Sequence, residues 1–66
     1  MKYYKNKAIE YYICDTGEGF IEVWDGETIK SVAKKTNLDY GRELEYFDEI
    51  TEEEFNTIYL KVKGGL

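Results

Sequence analysis

Two glycines near the C-terminus, Gly64 and Gly65, are the residues whose type and position most clearly suggest chemistry. They follow residues 57–63, in which apolar and polar side chains alternate with the period of a half-buried strand. A strand that runs directly into two glycines at the end of a chain is unusual. If the pair acts, the chemistry lies at the terminus rather than in a pocket. The alternative is a frayed end without a role, because glycines are common in disordered termini.

The rest of the chain offers little for catalysis. Cys14 is the single cysteine and histidine is absent, which excludes an internal disulfide and a zinc site of the usual type. A cysteine nucleophile needs an activating neighbour such as histidine, and the sequence supplies none. We therefore expect no catalytic residues, no metal, no cofactor and no enzymatic activity.

Length and charge restrict the class of protein. The chain has 66 residues, enough for one domain, and a formal net charge of −5. Binding nucleic acid through its phosphates needs clustered lysine and arginine, so we expect no nucleic-acid partner. The sequence contains no apolar stretch long enough to span a membrane and no secretory segment, so we expect a cytoplasmic protein with no membrane partner.

Acidic residues are concentrated in one part of the chain. The segment 43–54 contains Glu43, Glu45, Asp48, Glu49, Glu52, Glu53 and Glu54. One interpretation is a docking surface for a basic partner, or an imitation of nucleic-acid charge. The other is a solvated face that keeps a small domain soluble. The sequence alone leaves both open.

The first half of the chain predicts a β-hairpin. Residues 8–14 and residues 20–24 predict two strands, with Ile9, Tyr11 and Ile13 on one face of the first and Ile21 and Val23 on one face of the second. The segment 15–19 between them contains two glycines, which supply the positive φ angle that a tight turn needs. Residues 2–7 either lengthen the first strand or form a short arm.

Residues 29–35 fit two structures. Asp25 and Gly26 form an Asp-Gly pair, a strong hairpin signal that would make the following segment a strand. The competing prediction is a helix, which would place Ile29 and Val32 on one face. As a strand, the segment would point these two side chains to opposite faces. We therefore favour the helix and keep the strand as the alternative.

The C-terminal third predicts a strand over residues 42–47, one helical turn over residues 52–56 and a last strand over residues 57–63. Thr51 followed by Glu54 is the capping-box signature of a helix N-terminus. The apolar period then changes from helical to alternating, which favours ending the helix after one turn. The alternative is one longer helix that the glycines cap. Its apolar face would consist of Phe55, Ile58, Tyr59 and Val62.

Together these elements predict one α+β domain over residues 1–63 and a flexible tail over residues 64–66. The predicted order is hairpin, helix, strand, short helix, strand. The expected core consists of Ile9, Tyr11, Ile13, Ile21, Val23, Ile29, Val32, Leu44, Ile50, Phe55, Ile58, Leu60 and Val62.

This order resembles the ubiquitin-like β-grasp fold, and three short segments extend the resemblance over about residues 9–65. The segment 27–32, Glu-Thr-Ile-Lys-Ser-Val, is similar to Asp-Thr-Ile-Glu-Asn-Val at the start of the helix of ubiquitin. The pair Phe55-Asn56 is similar to its Tyr-Asn. The segment 58–65, Ile-Tyr-Leu-Lys-Val-Lys-Gly-Gly, is similar to its last strand and diglycine, Leu-Val-Leu-Arg-Leu-Arg-Gly-Gly.

The resemblance implies a function for the tail. In ubiquitin-like modifiers an adenylating enzyme activates the terminal glycine carboxylate, and a conjugating enzyme passes it to a target protein. By that analogy Gly64 and Gly65 are the conjugation residues. Lys61 and Lys63 would bind acidic groups of a partner enzyme. Leu66 follows the second glycine, so activation would first require a processing peptidase to remove it.

Two other functions stay open. A sulfur-carrier protein would use the same carboxylate, converted to a thiocarboxylate at Gly65. Such carriers usually end at the second glycine, so Leu66 favours the modifier. The third possibility is a small acidic interaction or inhibitor protein, in which the glycines have no role.

Overall fold

The structure, a computed structural model, describes residues 1–36 and 43–65, without the side chain of Glu43. It is an α+β domain with a five-stranded antiparallel sheet and a C-terminal helix. The α+β class predicted from the sequence is therefore confirmed. The strands are β1 (Lys2–Asn6), β2 (Tyr11–Asp15), β3 (Gly19–Asp25), β4 (Lys30–Thr36) and β5 (Phe47–Ile50). A 3₁₀ turn over Glu43–Tyr46 precedes β5, and the helix α1 spans Glu52–Gly65.

The strand order across the sheet is β4-β3-β2-β1-β5, and each neighbouring pair is antiparallel. The first four strands therefore follow the chain, and β5 joins the sheet beside β1. The predicted hairpin is confirmed as β2 and β3, where Tyr12 pairs with Val23 and Cys14 with Ile21. Gly17, with a φ of 88°, supplies the left-handed residue of the turn. Among the described residues, β4 and β5 are the two edges of the sheet.

Residues 2–7 contribute a strand of their own. A turn separates β1 from β2, and the side chain of Asn6 accepts hydrogen bonds from the backbone N–H groups of Ala8 (2.8 Å) and Ile9 (3.1 Å). This arrangement is the usual way in which asparagine fixes a turn. It leaves Ile9 48% exposed in the connection, which explains why the prediction of a core position for Ile9 is wrong.

The prediction of a helix over residues 29–35 is wrong, because this segment forms β4. All seven residues of β4 pair with β3, from Asp25 opposite Lys30 to Gly19 opposite Thr36. The Asp-Gly signal was the better guide, since the N–H of Gly26 donates to the carbonyl of Ile29 (2.9 Å) and closes the turn. A short helix of this length would gain few hydrogen bonds, whereas the strand gains a ladder along its whole length.

The prediction of a last strand over residues 57–63 is also wrong, because α1 continues to Gly65. Thr51 caps the helix as predicted: the N–H of Glu54 donates to the hydroxyl of Thr51 (3.1 Å), and that hydroxyl donates to the Glu54 carboxylate (3.3 Å). Acidic residues in the first turn and Lys63 in the last turn complement the helix dipole. The longer helix that the sequence offered as an alternative is therefore observed, but it includes Gly64 and Gly65 in its last turn and is not capped by them.

The strand predicted over residues 42–47 is displaced toward the C-terminus. Residue 42 lies outside the described residues, the next four form the 3₁₀ turn, and β5 begins at Phe47. Tyr46 ends the turn and accepts a hydrogen bond from the N–H of Lys7 through its carbonyl (2.9 Å). This contact fixes the start of β5 beside β1.

Apolar side chains lie on both faces of the sheet. On one face, the strands and α1 bury a cluster of Tyr12, Cys14, Val23, Phe55 and Val62. On the other face, Tyr11, Ile13 and Phe47 form a second buried cluster, against which Leu44 of the 3₁₀ turn packs. The sequence prediction assumed one core, so it missed Tyr12, Cys14 and Phe47.

The remaining core predictions have mixed outcomes. Tyr11, Ile13, Val23, Phe55 and Val62 are buried as predicted. Ile21, Val32, Ile50, Ile58 and Leu44 are half-buried and pack against one of the two clusters. The predictions for Ile29 and Leu60 are wrong, because these side chains are 56% and 65% exposed. Ile29 lies in the turn before β4, and Leu60 lies on the outer face of α1.

Candidate functional site

Gly64 and Gly65 lie in the last turn of α1 instead of extending a strand. Both are exposed, and a Cβ atom added at either position would meet no atom within 4 Å. Val62, which is 1% exposed, is the last buried side chain before them. The sequence-predicted conjugation residues therefore lie beyond the packed part of the helix. Leu66, the predicted processing residue, lies outside the described residues.

The two lysines predicted to bind a partner point in different directions. Consecutive helical residues turn by about 100°, so positions two apart are about 200° apart around the axis. Lys61 forms an ion pair with Asp25 (Nζ to Oδ2, 3.1 Å). Lys63 lies over the ring of Tyr59, with 5.4 Å between Nζ and the ring centroid. The structure does not bring the two together as one binding surface, and each has an intramolecular contact.

Asp25 links α1 to the β3–β4 hairpin, a role that no sequence pattern predicted. Its side chain is 6% exposed and contacts Lys30 (2.7 Å) as well as Lys61. The hydrogen bond from Lys30, followed by that from Lys61, lowers the pKa of the Asp25 carboxyl from its ordinary value of 3.8. The carboxylate therefore stabilises the fold in its ionised form.

We expect Asp25→Asn to lower the free energy of unfolding at neutral pH by about 1–2 kcal/mol, because two lysines lose their counter-charge. Both lysine side chains are at least half-exposed, so water screens their ion pairs with Asp25. The loss of stability should therefore be smaller than for a fully buried ion pair. Urea unfolding measures the change. The control variant is Glu27→Gln, which removes a carboxylate at an exposed position.

The pH dependence of this difference follows from the lowered pKa. The folded state holds the Asp25 carboxyl ionised more strongly than the unfolded chain does. The stabilisation is therefore fully present above the ordinary pKa and is lost as the pH falls from there through the lowered value. The difference in the free energy of unfolding between the wild type and Asp25→Asn should decrease over that range. A difference that is constant with pH would contradict a role for the charge of Asp25.

Cys14 is buried between the sheet and α1 and is 3% exposed. Its sulfur lies 3.9 Å from that of Met1, and burial raises the pKa of the thiol. Because the thiolate is the reactive form, burial and a raised pKa both slow attack by this residue. We expect an aromatic disulfide reagent to label Cys14 more than about tenfold more slowly in the folded protein than in the urea-unfolded chain at about pH 8. Equal rates would show that the thiol is accessible.

Exposed carboxylates are concentrated on β5 and on the segments that flank it in sequence, and we call this group the acidic edge. It consists of Glu45, Asp48, Glu49, Glu52 and Glu53, on the 3₁₀ turn, β5 and the first turn of α1. Among the described residues, Lys7, at 3.8 Å from Asp48, is the one cation that forms an ion pair with this group. The edge therefore combines uncompensated negative charge with the free side of an edge strand.

The opposite side of the sheet has the opposite charge. We call Lys30, Lys34 and Lys35 on β4 the basic edge; all three are exposed. Lys30 is held by Asp25, whereas Lys34 and Lys35 form no described ion pair. The helix prediction for residues 29–35 concealed this edge, because a helical segment could not form an edge strand of the sheet. The Asp-Gly hairpin signal was the feature that could have revealed it.

A groove of about 630 Å³ lies between α1 and the sheet. Its lining consists of Lys5, Tyr12, Thr51, Glu53, Glu54, Thr57 and Ile58. Tyr12 donates a hydrogen bond to Glu10, and burial, followed by that bond, raises the pKa of the tyrosine hydroxyl. Thr51 and Glu54 are occupied by the capping box. Tyr12, Thr51 and Glu54 are thus engaged within the domain, and we assign no reaction to the groove.

In residues 1–36 and 43–65, no group of three or more His, Cys, Asp or Glu side chains is arranged to hold a metal ion. Within the same part of the chain, no helix is both long and apolar enough to cross a membrane. No known family model, curated protein sequence or solved structure matches the chain. The ubiquitin-like relationship therefore stays a prediction from the sequence pattern.

Proposed function

We propose that this protein is a small acidic binding domain that docks a positively charged segment of another protein on its acidic edge. The observation that supports the proposal is the coincidence of uncompensated carboxylates with an edge strand. Glu49 lies on β5, and Glu53 lies four residues later in the first turn of α1. Neither side chain forms a described ion pair or hydrogen bond, so both remain available to a partner.

The physical properties of the surface suit weak, fast and salt-dependent binding. A patch of one charge sign raises the rate of encounter with a partner of the other sign, and salt screens the attraction over about 8–10 Å. The N–H and C=O groups on the side of β5 that no described strand covers can in addition pair with an extended segment, as in strand addition. Asp48 and Glu49 are consecutive and point to opposite faces of the sheet, so a partner strand with two consecutive lysines would satisfy both features.

The test uses a short lysine-rich peptide as the probe. The variant Glu49→Gln/Glu53→Gln should weaken its binding by about fivefold to thirtyfold, because two carboxylates facing the peptide are lost. The matched control is Glu18→Gln/Glu27→Gln, which changes the net charge equally at two exposed positions away from the edge. We expect a loss of less than about threefold for the control. Equal losses for the two variants would show that net charge alone binds the peptide and would overturn the proposal.

A second candidate is a ubiquitin-like protein modifier with a cytoplasmic location, activated at the Gly65 carboxylate once Leu66 is removed. The observation that favours it is the open space around both glycines. Each glycine costs a helix about 1 kcal/mol relative to alanine, so the last turn unwinds at low cost. Because Val62 is the last buried side chain, about three residues could then extend over about 10 Å.

The relationship to β-grasp proteins belongs to this second candidate. Like β-grasp proteins, this domain has one helix packed across one face of a five-stranded sheet. Two of the segments that carry the resemblance weigh against it, however. The segment 27–32 runs into a strand instead of a helix, and the segment 58–63 lies in a helix instead of a strand.

The second candidate is tested by activation of the terminus. Protein ending at Gly65 should form an acyl-adenylate when mixed with ATP and an adenylating enzyme encoded near its gene. Later transfer through a conjugating enzyme to a target protein would indicate a modifier, whereas a thiocarboxylate product would indicate a sulfur carrier. Protein that retains Leu66 should not react without a processing peptidase, and Gly65→Ala should react poorly. If the protein ending at Gly65 and the protein that retains Leu66 react alike, both the modifier and the sulfur-carrier function would be excluded.

A further inference from the structure

The two edge strands of the sheet run in the same direction. Four antiparallel pairings lie between β4 and β5, and each pairing reverses the strand direction. An even number of reversals leaves β4 and β5 parallel. A second copy of the chain, displaced sideways in the plane of the sheet, would therefore bring its β5 beside β4 of the first as a parallel neighbour. The α1 helices of both copies would lie on the same face.

The charges of the two edges occur in the same order along the chain. In β4 the sequence Ala33-Lys34-Lys35-Thr36 places two lysines side by side, and in β5 Phe47-Asp48-Glu49-Ile50 places two carboxylates side by side. Aligned in parallel, the two segments place each lysine opposite a carboxylate. Both segments begin with an apolar residue.

The faces of these charged residues also agree. Lys34 is opposite Ile21, and Asp48 is in phase with Ile50; Ile21 and Ile50 both pack against the cluster beneath α1. Lys34 and Asp48 therefore lie on the helix-covered face. Lys35 is opposite Phe20, and Glu49 is opposite Tyr4.

Phe20 and Tyr4 pack against the second cluster, so Lys35 and Glu49 lie on the other face. One parallel register thus forms two ion pairs on two faces of the extended sheet at once. Cross-strand pairs of opposite charge stabilise a sheet, and like charges opposite each other destabilise it.

We propose that the partner of the acidic edge is the basic edge of a second copy, with β5 of one molecule added in parallel to β4 of the next. The inference rests on the proposed function, because it names the occupant of the same acidic edge. Pairing of β4 with β4 would oppose lysines, and pairing of β5 with β5 would oppose carboxylates, so like edges repel. The contact is heterologous and leaves one free edge of each kind on every open assembly, so it propagates into chains unless the ends meet in a ring.

Because β5 contains only four residues, each contact is short. Association is therefore weak, rises with protein concentration and falls with salt. Sedimentation velocity of the wild type should show species larger than a monomer at about millimolar protein and low salt, and a monomer at about 0.5 M salt. A monomer under all of these conditions would overturn the inference.

Charge exchange supplies the decisive measurement. Lys34→Glu/Lys35→Glu places carboxylates at the contact positions of both edge strands, and Asp48→Lys/Glu49→Lys places lysines at the contact positions of both, so each variant alone should be monomeric. An equal mixture restores opposite charges at the contact and should associate at least as strongly as the wild type. The matched control Lys2→Glu/Lys63→Glu has the same net charge as the first variant and should keep most of the wild-type self-association. Circular dichroism verifies that each variant is folded.

The outcomes separate this inference from the proposed function. If the mixture does not associate but the lysine-rich peptide still binds, the self-association inference is wrong and the proposed acidic binding domain is retained. If the mixture does not associate and the peptide does not bind, both the inference and the proposed function are wrong. Association of the mixture together with peptide binding that Glu49→Gln/Glu53→Gln does not weaken supports self-association as the one role of the edge.

Discussion

Val62→Asp should leave the domain mostly unfolded at neutral pH. The side chain of Val62 is 1% exposed and packs with Phe55 and Tyr12 between α1 and the sheet. An ionised carboxylate there would have no partner, which costs about 4 kcal/mol or more. A domain of this size has a total stability of about 3–10 kcal/mol, so the substitution removes most of it. Far-UV circular dichroism and urea unfolding measure the loss.

Leu60→Asp is the matched control for this prediction. Leu60 is 65% exposed on the outer face of α1, so its substitution should change the free energy of unfolding by less than about 0.5 kcal/mol. A terminal strand would instead point Leu60 and Val62 toward the same face, and both substitutions would then be severe. Similar destabilisation by the two variants would therefore contradict the helix.

The sequence predicted the parts of the fold that depend on neighbouring residues. The hairpin of β2 and β3 follows from two short segments rich in apolar residues and from the glycines between them, of which Gly17 has the positive φ of the turn. The start of α1 follows from the capping box of Thr51 and Glu54. Both signals are complete within a few residues, so they do not depend on the rest of the chain.

The two wrong elements are segments whose apolar pattern fits two periods. In the C-terminal segment, Ile58 and Val62 fit both the alternating pattern of a strand and the pattern of a helix. Leu60 would be buried in the strand and exposed in the helix, so its observed exposure distinguishes the two patterns. In the segment 29–35, the argument against a strand assumed that Ile29 and Val32 both need burial. Ile29 lies in the turn, so the conflict does not arise.

The candidate site depends on contacts between distant parts of the chain. The acidic residues around Glu49 are visible in the sequence, but their position on a sheet edge follows from pairing of β5 with β1. The basic edge requires in addition that β4 is a strand. Strand order is set by long-range packing, for which no short sequence pattern gives a signal.

Ile13→Ala should lower the free energy of unfolding by about 3 kcal/mol, because it leaves a cavity on the face of the sheet away from α1. The side chain of Ile13 is 0% exposed and packs with Tyr11 and Phe47 in the second cluster. A sheet that carried one core beneath its helix would have a solvated face here, and the same substitution would then cost little.

Ile9→Ala removes the same atoms from a residue that the sequence assigned to the same face. Because Ile9 is 48% exposed in the turn before β2, we expect a loss of less than about 1 kcal/mol. Urea unfolding of both variants measures the difference. If Ile13→Ala costs no more than Ile9→Ala, the second cluster does not stabilise the fold. The sheet would then have one buried face, and stability would depend on the packing of α1 alone.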